Sequence, residues 1–336
     1  MRFRLLCLLI LLPRILSAQT AGEWLLHPTI SSATLVMERY SVQDEHFRTS
    51  ALSMLSAGFG TTEDAFRFNL SYDVLGARFM TCEAIWQPLP QIGVRAGIQK
   101  MPFLTETTFS PVSLGMIGYS QAVSALGGYS SDVTGINSRS RDVGISLSGS
   151  LRPQDGYSLL QYCVGVYNGN GYSFRDNNAA KDLQGRLIFQ PARNLKISLG
   201  GMYGHYTPAD AAGNAAPAAR HRISAGIWFD NGKWFVRSEN IYGITGALRS
   251  DGIMALAGFQ FLSRLQLTAR VDRFQRDLSD TRSAITRADI CFSHLLTESG
   301  DISYKIQYGH TFYADPSLPG KDAITLCLSF SFRKRI

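Results

Sequence analysis

The sequence predicts an all-β fold, a transmembrane antiparallel β-barrel of about 16 strands with short periplasmic turns and long outer loops. Three observations carry that prediction. Segments of apolar–polar alternation recur along most of the 336 residues. No long apolar run follows the N-terminal leader. The connectors between segments alternate between tight and long, and keep that parity along the chain. A strand turns successive side chains to opposite faces, so alternation makes one apolar and one polar face. Closed into a cylinder, such strands put lipid outside and water inside.

Met1–Ala18 reads as a secretory signal. Arg2 and Arg4 open it, Leu5–Leu12 form its apolar stretch, and Leu16-Ser17-Ala18 supplies small residues for cleavage. The apolar stretch falls short of the roughly 20 residues that a spanning helix needs, and Pro13 and Arg14 interrupt it. Residues 19–336 then form one barrel, expected in the outer membrane of a Gram-negative bacterium with outer-membrane lipid around it. Removing Arg2, Arg4 and Arg14 with the leader leaves 30 Lys and Arg against 26 Asp and Glu. That excess is too mild for a nucleic-acid partner. Cys82, Cys163, Cys291 and Cys327 fall inside candidate strands and are expected to stay unpaired.

Candidate strands run near 32–42, 50–60, 64–74, 77–87 and 91–101, then 141–151, 157–168, 181–191, 194–206 and 220–230. The last six lie near 233–244, 251–262, 264–276, 283–295, 301–312 and 321–332. Their lengths suit a tilted strand, which needs roughly 9–11 residues to cross a bilayer. The final segment is the clearest: Ile324, Leu326, Leu328, Phe330 and Phe332 oppose Thr325, Cys327, Ser329, Ser331 and Arg333. Phe66, Phe68, Leu70 and Tyr72 oppose Arg67, Asn69, Ser71 and Asp73 in the same way. The first and fourth segments alternate poorly. Trp24, Tyr40, Trp86, Tyr167, Tyr206, Trp234 and Phe312 lie near segment ends and suit interfacial girdles.

Connectors after even-numbered segments are tight, as at Gln87–Pro90, Ala192-Arg193 and Asp230–Gly232, where Asn231-Gly232 is a two-residue hairpin signal. After odd-numbered segments they are often long, as at 102–140, 169–180, 207–219 and 313–320. Outer-membrane barrels have that asymmetry, with the N-terminus on the periplasmic side. A soluble sandwich has no reason to keep it.

A charged side chain facing lipid at the midplane costs about 2–4 kcal/mol. The ionisable residues of the strands therefore face inward, and the pore-lining candidates are Arg67, Asp73, Arg95, Arg186, Arg237, Glu239, Arg270, Asp272, Arg287, Asp289 and Lys305. Such an interior is wet, and about 16 strands enclose more space than side chains fill. Residues 102–140 form an unusually long connector, rich in apolar groups that include Phe103, Phe109, Tyr119 and Tyr129. These four are the constriction candidates, because a loop folded into the lumen shelters them and narrows the passage. The alternative is an outer loop packed against the rim or against a partner.

Gly97-Ile98-Gln99-Lys100-Met101-Pro102-Phe103 resembles the strand-end stretch "G-x-x-K-x-P-F" of the phosphate-selective porin O and P family. Ser140–Gly144 is similar to that family's return into the barrel after its long loop. Val166–Gly171, Asp176–Asn178, Lys181–Leu187 and Gln190-Pro191 resemble its most recognisable block. The resemblance covers roughly residues 50–200; beyond them only the strand pattern agrees. It implies a 16-stranded diffusion channel for small hydrophilic or anionic solutes, assembled as a homotrimer, with the third outer loop constricting the pore. Phosphate selectivity is not carried over. The chain has seven lysines in all, and residues 102–138 contain neither Lys nor Arg. The arginines allow an anion preference, while the neighbouring acids could equally neutralise them.

No enzyme and no cofactor or metal is expected. Gly118-Tyr119-Ser120-Gln121-Ala122 approaches a nucleophile elbow but lacks the α/β context, and Asp176, Asn178 and Asp182 lack the glycine and terminal glutamate of a calcium loop. Two other readings stay open. One is an outer-membrane barrel enzyme using His205, His221 or His310 near outer strand ends, and the other is a structural or adhesin barrel plugged by residues 102–140.

Overall fold

A computed structural model of the chain describes residues 29–60, 65–154, 156–171, 179–208, 216–299 and 301–335. The leader, Trp24, Asp176 and Asn178 lie outside them. Sixteen strands follow in order: β1 (Thr29–Ser41), β2 (His46–Gly60), β3 (Phe66–Asp73), β4 (Arg78–Leu89), β5 (Ile92–Lys100), β6 (Arg141–Gln154), β7 (Tyr157–Tyr167) and β8 (Asp182–Ala192). The second half comprises β9 (Leu195–Tyr206), β10 (Ala218–Asp230), β11 (Trp234–Thr245), β12 (Leu248–Leu262), β13 (Leu265–Gln275), β14 (Ala284–Leu295), β15 (Ile302–Tyr313) and β16 (Lys321–Arg335). Each pairs antiparallel with its sequence neighbours, and β16 pairs with β1 from Thr29↔Arg335 to Ser41↔Ala323. Closure leaves no edge strand, as lipid requires of a spanning sheet.

The alternation read from the sequence becomes two surfaces. Along β16, Ile324, Phe330 and Phe332 are about half exposed on the outside, while Ala323, Thr325, Cys327 and Ser329 are buried within. Leu267 and Val271 of β13 face outward between the buried Thr268, Arg270 and Asp272. The turn between β10 and β11 forms because Asn231 Oδ1 accepts the N–H of Lys233 (3.0 Å) and Trp234 (2.7 Å), and Gly232 takes a φ of 83°. Trp86, Trp234 and Phe312 lie exposed near strand ends, as a girdle requires. Tyr167 does not. Val164 and Val166 face outward, so the parity of β7 puts Tyr167 inside, where it is buried. The four cysteines in the strands are all unpaired.

The connector between β5 and β6 folds into the lumen. It contains a short helix, α1 (Gln121–Leu126), capped by Ser120 Oγ, which accepts the Val123 N–H (3.4 Å). Phe103, Leu104, Leu114, Met116, Val123 and Leu126 are fully buried, against residues that include Met202, Ile241, Met254 and Phe274 of the wall. Each such side chain contributes about 1.5–3 kcal/mol on leaving water. Backbone contact is close enough that a Cβ on Gly200 would overlap the Phe103 carbonyl oxygen.

Candidate functional site: the lumen and its inserted loop

The loop is fastened to one arc of the barrel. The Glu239 carboxylate of β11 accepts the backbone N–H groups of Thr105 and Glu106, both at 2.7 Å. Glu106 in turn accepts the N–H (2.9 Å) and the hydroxyl (2.7 Å) of Ser120. Burial drives the Glu106 carboxyl above the ordinary range, opposed by the nearby Arg270 guanidinium. Wall cations take the loop carbonyls: Arg237 donates to Leu114 (2.9 Å), Arg270 to Gly118 (2.9 Å) and Lys305 to Val112 (2.8 Å). Ser224 donates to the Phe103 carbonyl (2.6 Å), Thr105 Oγ1 lies 2.6 Å from Ser198 Oγ, and Gln307 Oε1 accepts the Ile117 N–H (2.7 Å). These anchors come from β9, β10, β11, β13 and β15, so the loop lies on that side of the lumen.

The opposite arc stays open. A cavity of about 1160 Å³ runs between the loop and the inner faces of β1–β4 and β16. It follows β1 from Thr29 to Met37, a rise of about 26 Å along the strand, which is most of a bilayer core. Six cations border it, Arg67, Lys100, Arg139, Arg141, Lys305 and Arg333, against a single acid, Glu83. A smaller space of about 330 Å³ lies behind the loop root, against β4–β8.

Alternation places every pore-lining candidate on the inner face, but they do different things there. Arg67 borders the large cavity and donates to Gln87 (2.9 Å). Lys305 borders it too, with its ammonium held by loop carbonyls. Arg95 and Arg186 border the smaller space, Arg95 lying 3.5 Å from Glu83 and Arg186 donating to the Leu104 carbonyl. Arg237, Glu239, Arg270 and Asp272 lie under the loop. Arg270 is held by Asp289 (2.8 Å) and Asp272 (3.3 Å), and Arg287 also pairs with Asp289 (2.8 Å). Asp73 is buried between Arg78 (3.6 Å) and Arg139 (3.2 Å).

Of the constriction candidates, Tyr119 and Tyr129 border the large cavity, with ring centroids 5.0 Å apart. Phe103 is sealed against the wall, and Phe109 lies under the Arg237 guanidinium at 3.8 Å. Lys100, Arg139, Arg141 and Arg333 border the large cavity as well; Arg333 continues the inward row of β16, while the other three lie at the two ends of the loop, where no alternation marks them. Ser120 is consumed by Glu106 and the helix cap. His221 stacks on Tyr203 (4.4 Å) and His310 pairs with Asp322 (2.7 Å). Among the described residues no imidazole hydrogen-bonds to a serine.

The chain matches no protein-family model and no curated protein. Solved structures do match it. The anion-selective porin from Comamonas acidovorans superposes with a TM-score of 0.69 at 11% identity, covering 91% of this chain and 98% of that one. The fold is that of the outer-membrane porins. OprB of Pseudomonas putida, in its high-pH structure, gives a TM-score of 0.65 at 11% identity, over 91% and 94% of the two chains. The outer membrane channel DcaP of Acinetobacter baumannii gives 0.59 at 12% identity, over 91% and 96%. The chain thus has the fold of these outer-membrane barrels. At these identities the likeness speaks of fold, and what passes through must be argued from the lumen.

Proposed function

We propose that the chain is a passive diffusion porin for small hydrophilic solutes and that it prefers anions. The observation that carries this reading is the sorting of charge inside the barrel. Glu106, Glu239, Asp272 and Asp289 are all buried, spent on loop N–H groups, hydroxyls, amides and guanidinium partners. The open cavity keeps six cations and one acid. Arg139 is partly offset by Asp73, and the excess remains positive. A passage lined with one sign of charge concentrates the opposite ion.

The open arc argues against a plug, since the loop covers one side of the lumen and leaves the other free. The sequence resemblance to the phosphate-selective porin O and P family contributes architecture to this proposal and no phosphate site. The homotrimer it implies would give protein cover to Ser32, Thr34 and Glu38 of β1 and Thr49 and Ser53 of β2. These side chains face outward and are poorly suited to lipid; Thr34 Oγ1 lies 3.0 Å from Ser53 Oγ, and Thr49 donates to Glu38 (2.7 Å).

Recording from the purified protein in planar bilayers under a potassium chloride gradient tests the reading. Ohmic steps with a reversal potential on the chloride side are expected. A silent bilayer, or a reversal potential on the potassium side, would overturn it.

A further inference from the structure

The smaller space behind the loop root has a composition that the diffusion pathway does not need. It is an alcove of about 330 Å³ between residues 99–108 and the inner faces of β4–β8. Arg95, Lys100 and Arg186 border it and no Asp or Glu lines it. Glu83 lies 3.5 Å from Arg95 and Glu239 acts on Arg186 from outside, so Lys100 has the least compensation. The charges acting on Lys100 include Arg141 and Arg186, both positive. Lys100 donates to the Thr107 carbonyl (2.9 Å) and Arg186 to the Leu104 carbonyl. An ammonium has three donors and a guanidinium five, so each keeps donors beyond those bonds. Like charges gathered in a half-enclosed pocket repel, and a bound anion is the simplest group to offset that.

We propose that this alcove binds one small oxyanion, a carboxylate or phosphate group, gripped by Arg186 and Lys100 with Arg95 also on its border. The volume suits it, since a water occupies about 30 Å³ and the alcove holds an oxyanion with several waters. Lys100 borders both spaces and so stands between the alcove and the main passage. The site goes beyond the diffusion reading, because an anion can rest here whether or not the passage selects for anions.

Cys163 provides a direct probe, since it borders the alcove, whereas Cys327 borders the main cavity. Two full-length variants each keep one of these thiols and carry serine at the other three strand cysteines. A methanethiosulfonate reagent converts the thiol to a mixed disulfide with release of methanesulfinate, and the labelling rate is followed at constant ionic strength. Inorganic phosphate, acetate and chloride are compared as additions. Phosphate or acetate should slow labelling of Cys163 at least fivefold at saturation, with chloride ineffective and Cys327 unaffected. Protection by only one of the two oxyanions would name the source. Arg186→Gln removes a charge-assisted bond and should weaken protection at least tenfold. Arg95→Gln, which leaves the loop root untouched, should weaken it as well. Labelling of Cys163 indifferent to both oxyanions, or protection surviving both substitutions, would overturn the site. So would equal protection of Cys327. None of these outcomes depends on the reversal potential, so the site and the selectivity stand or fall separately.

Discussion

Glu239→Gln tests how the inserted loop is held. Both carboxylate oxygens accept backbone N–H groups at 2.7 Å. In the amide one oxygen survives and the other becomes an NH₂ that faces a donor. One charge-assisted bond is lost and the second weakened, at a cost of about 2–4 kcal/mol. Other polar anchors remain, among them Ser198, Ser224, Arg237, Arg270, Lys305 and Gln307. At about 1 kcal/mol each, and more for the three cations, they outweigh the loss even before apolar burial is counted. The single variant should therefore keep the wild-type conductance level. Adding Arg237→Met and Lys305→Met removes two further charge-assisted bonds, about 1.5–3 kcal/mol each, so the total rivals the polar anchoring that remains. The triple variant should show larger or flickering steps. Single-channel recording reads both. Raised conductance from Glu239→Gln alone would refute the distributed anchoring, and an unchanged triple variant would mean the loop does not set the passage width.

Further predictions concern the open arc, the lipid face and the loop seat. Arg67→Ser removes a charge which, about 5 Å from a passing ion, is worth about 0.8 kcal/mol in water and about 0.5 after screening at 0.1 M salt. Anions lose that attraction while cations lose the repulsion, so the permeability ratio should fall by up to about fivefold; an unchanged reversal potential would place Arg67 outside the ion path. Leu267→Arg puts a charge on the lipid face and should destabilise the barrel by about 2–4 kcal/mol in urea titrations from vesicles, and wild-type stability would contradict the orientation of β13. Gly200→Ala places a methyl group on the Phe103 carbonyl, so the loop must lift from β9. Greater proteinase K sensitivity within residues 102–140 is expected, and protection equal to wild type would show that the contact relaxes cheaply.

The strands were legible because lipid imposes a hard rule on every second residue. All sixteen segments were found, within a few residues of their ends. The two that read poorly have specific reasons. β1 mixes the two classes on both faces: Ser32, Thr34 and Glu38 face outward beside Ile30 and Val36, while Leu35 and Met37 turn inward beside Thr29 and Ser31. β4 carries irregularities in its register with both neighbours, opposite Ser71/Tyr72 and at Trp86/Leu89, which shift the period.

Alternation fixes which face a side chain takes but says nothing of what lies across the lumen. Arg67 and Arg237 read alike in sequence, yet one borders the open cavity and the other meets a loop carbonyl. That difference is decided by contacts such as Glu239 with Thr105, more than a hundred residues apart, which no local period encodes. One signal was available. Gly200, Gly226, Gly243 and Gly252 all face inward on β9–β12, where added methyl groups would crowd Phe103, Thr105, Leu126 and Ala122 of the loop. A run of inward glycines on adjacent strands marks where a second backbone approaches. Once the loop is placed by that seat, the charge sorting follows. The loop brings N–H and carbonyl groups that absorb the carboxylates and cations beneath it, while the arc without a loop keeps its cations for the water.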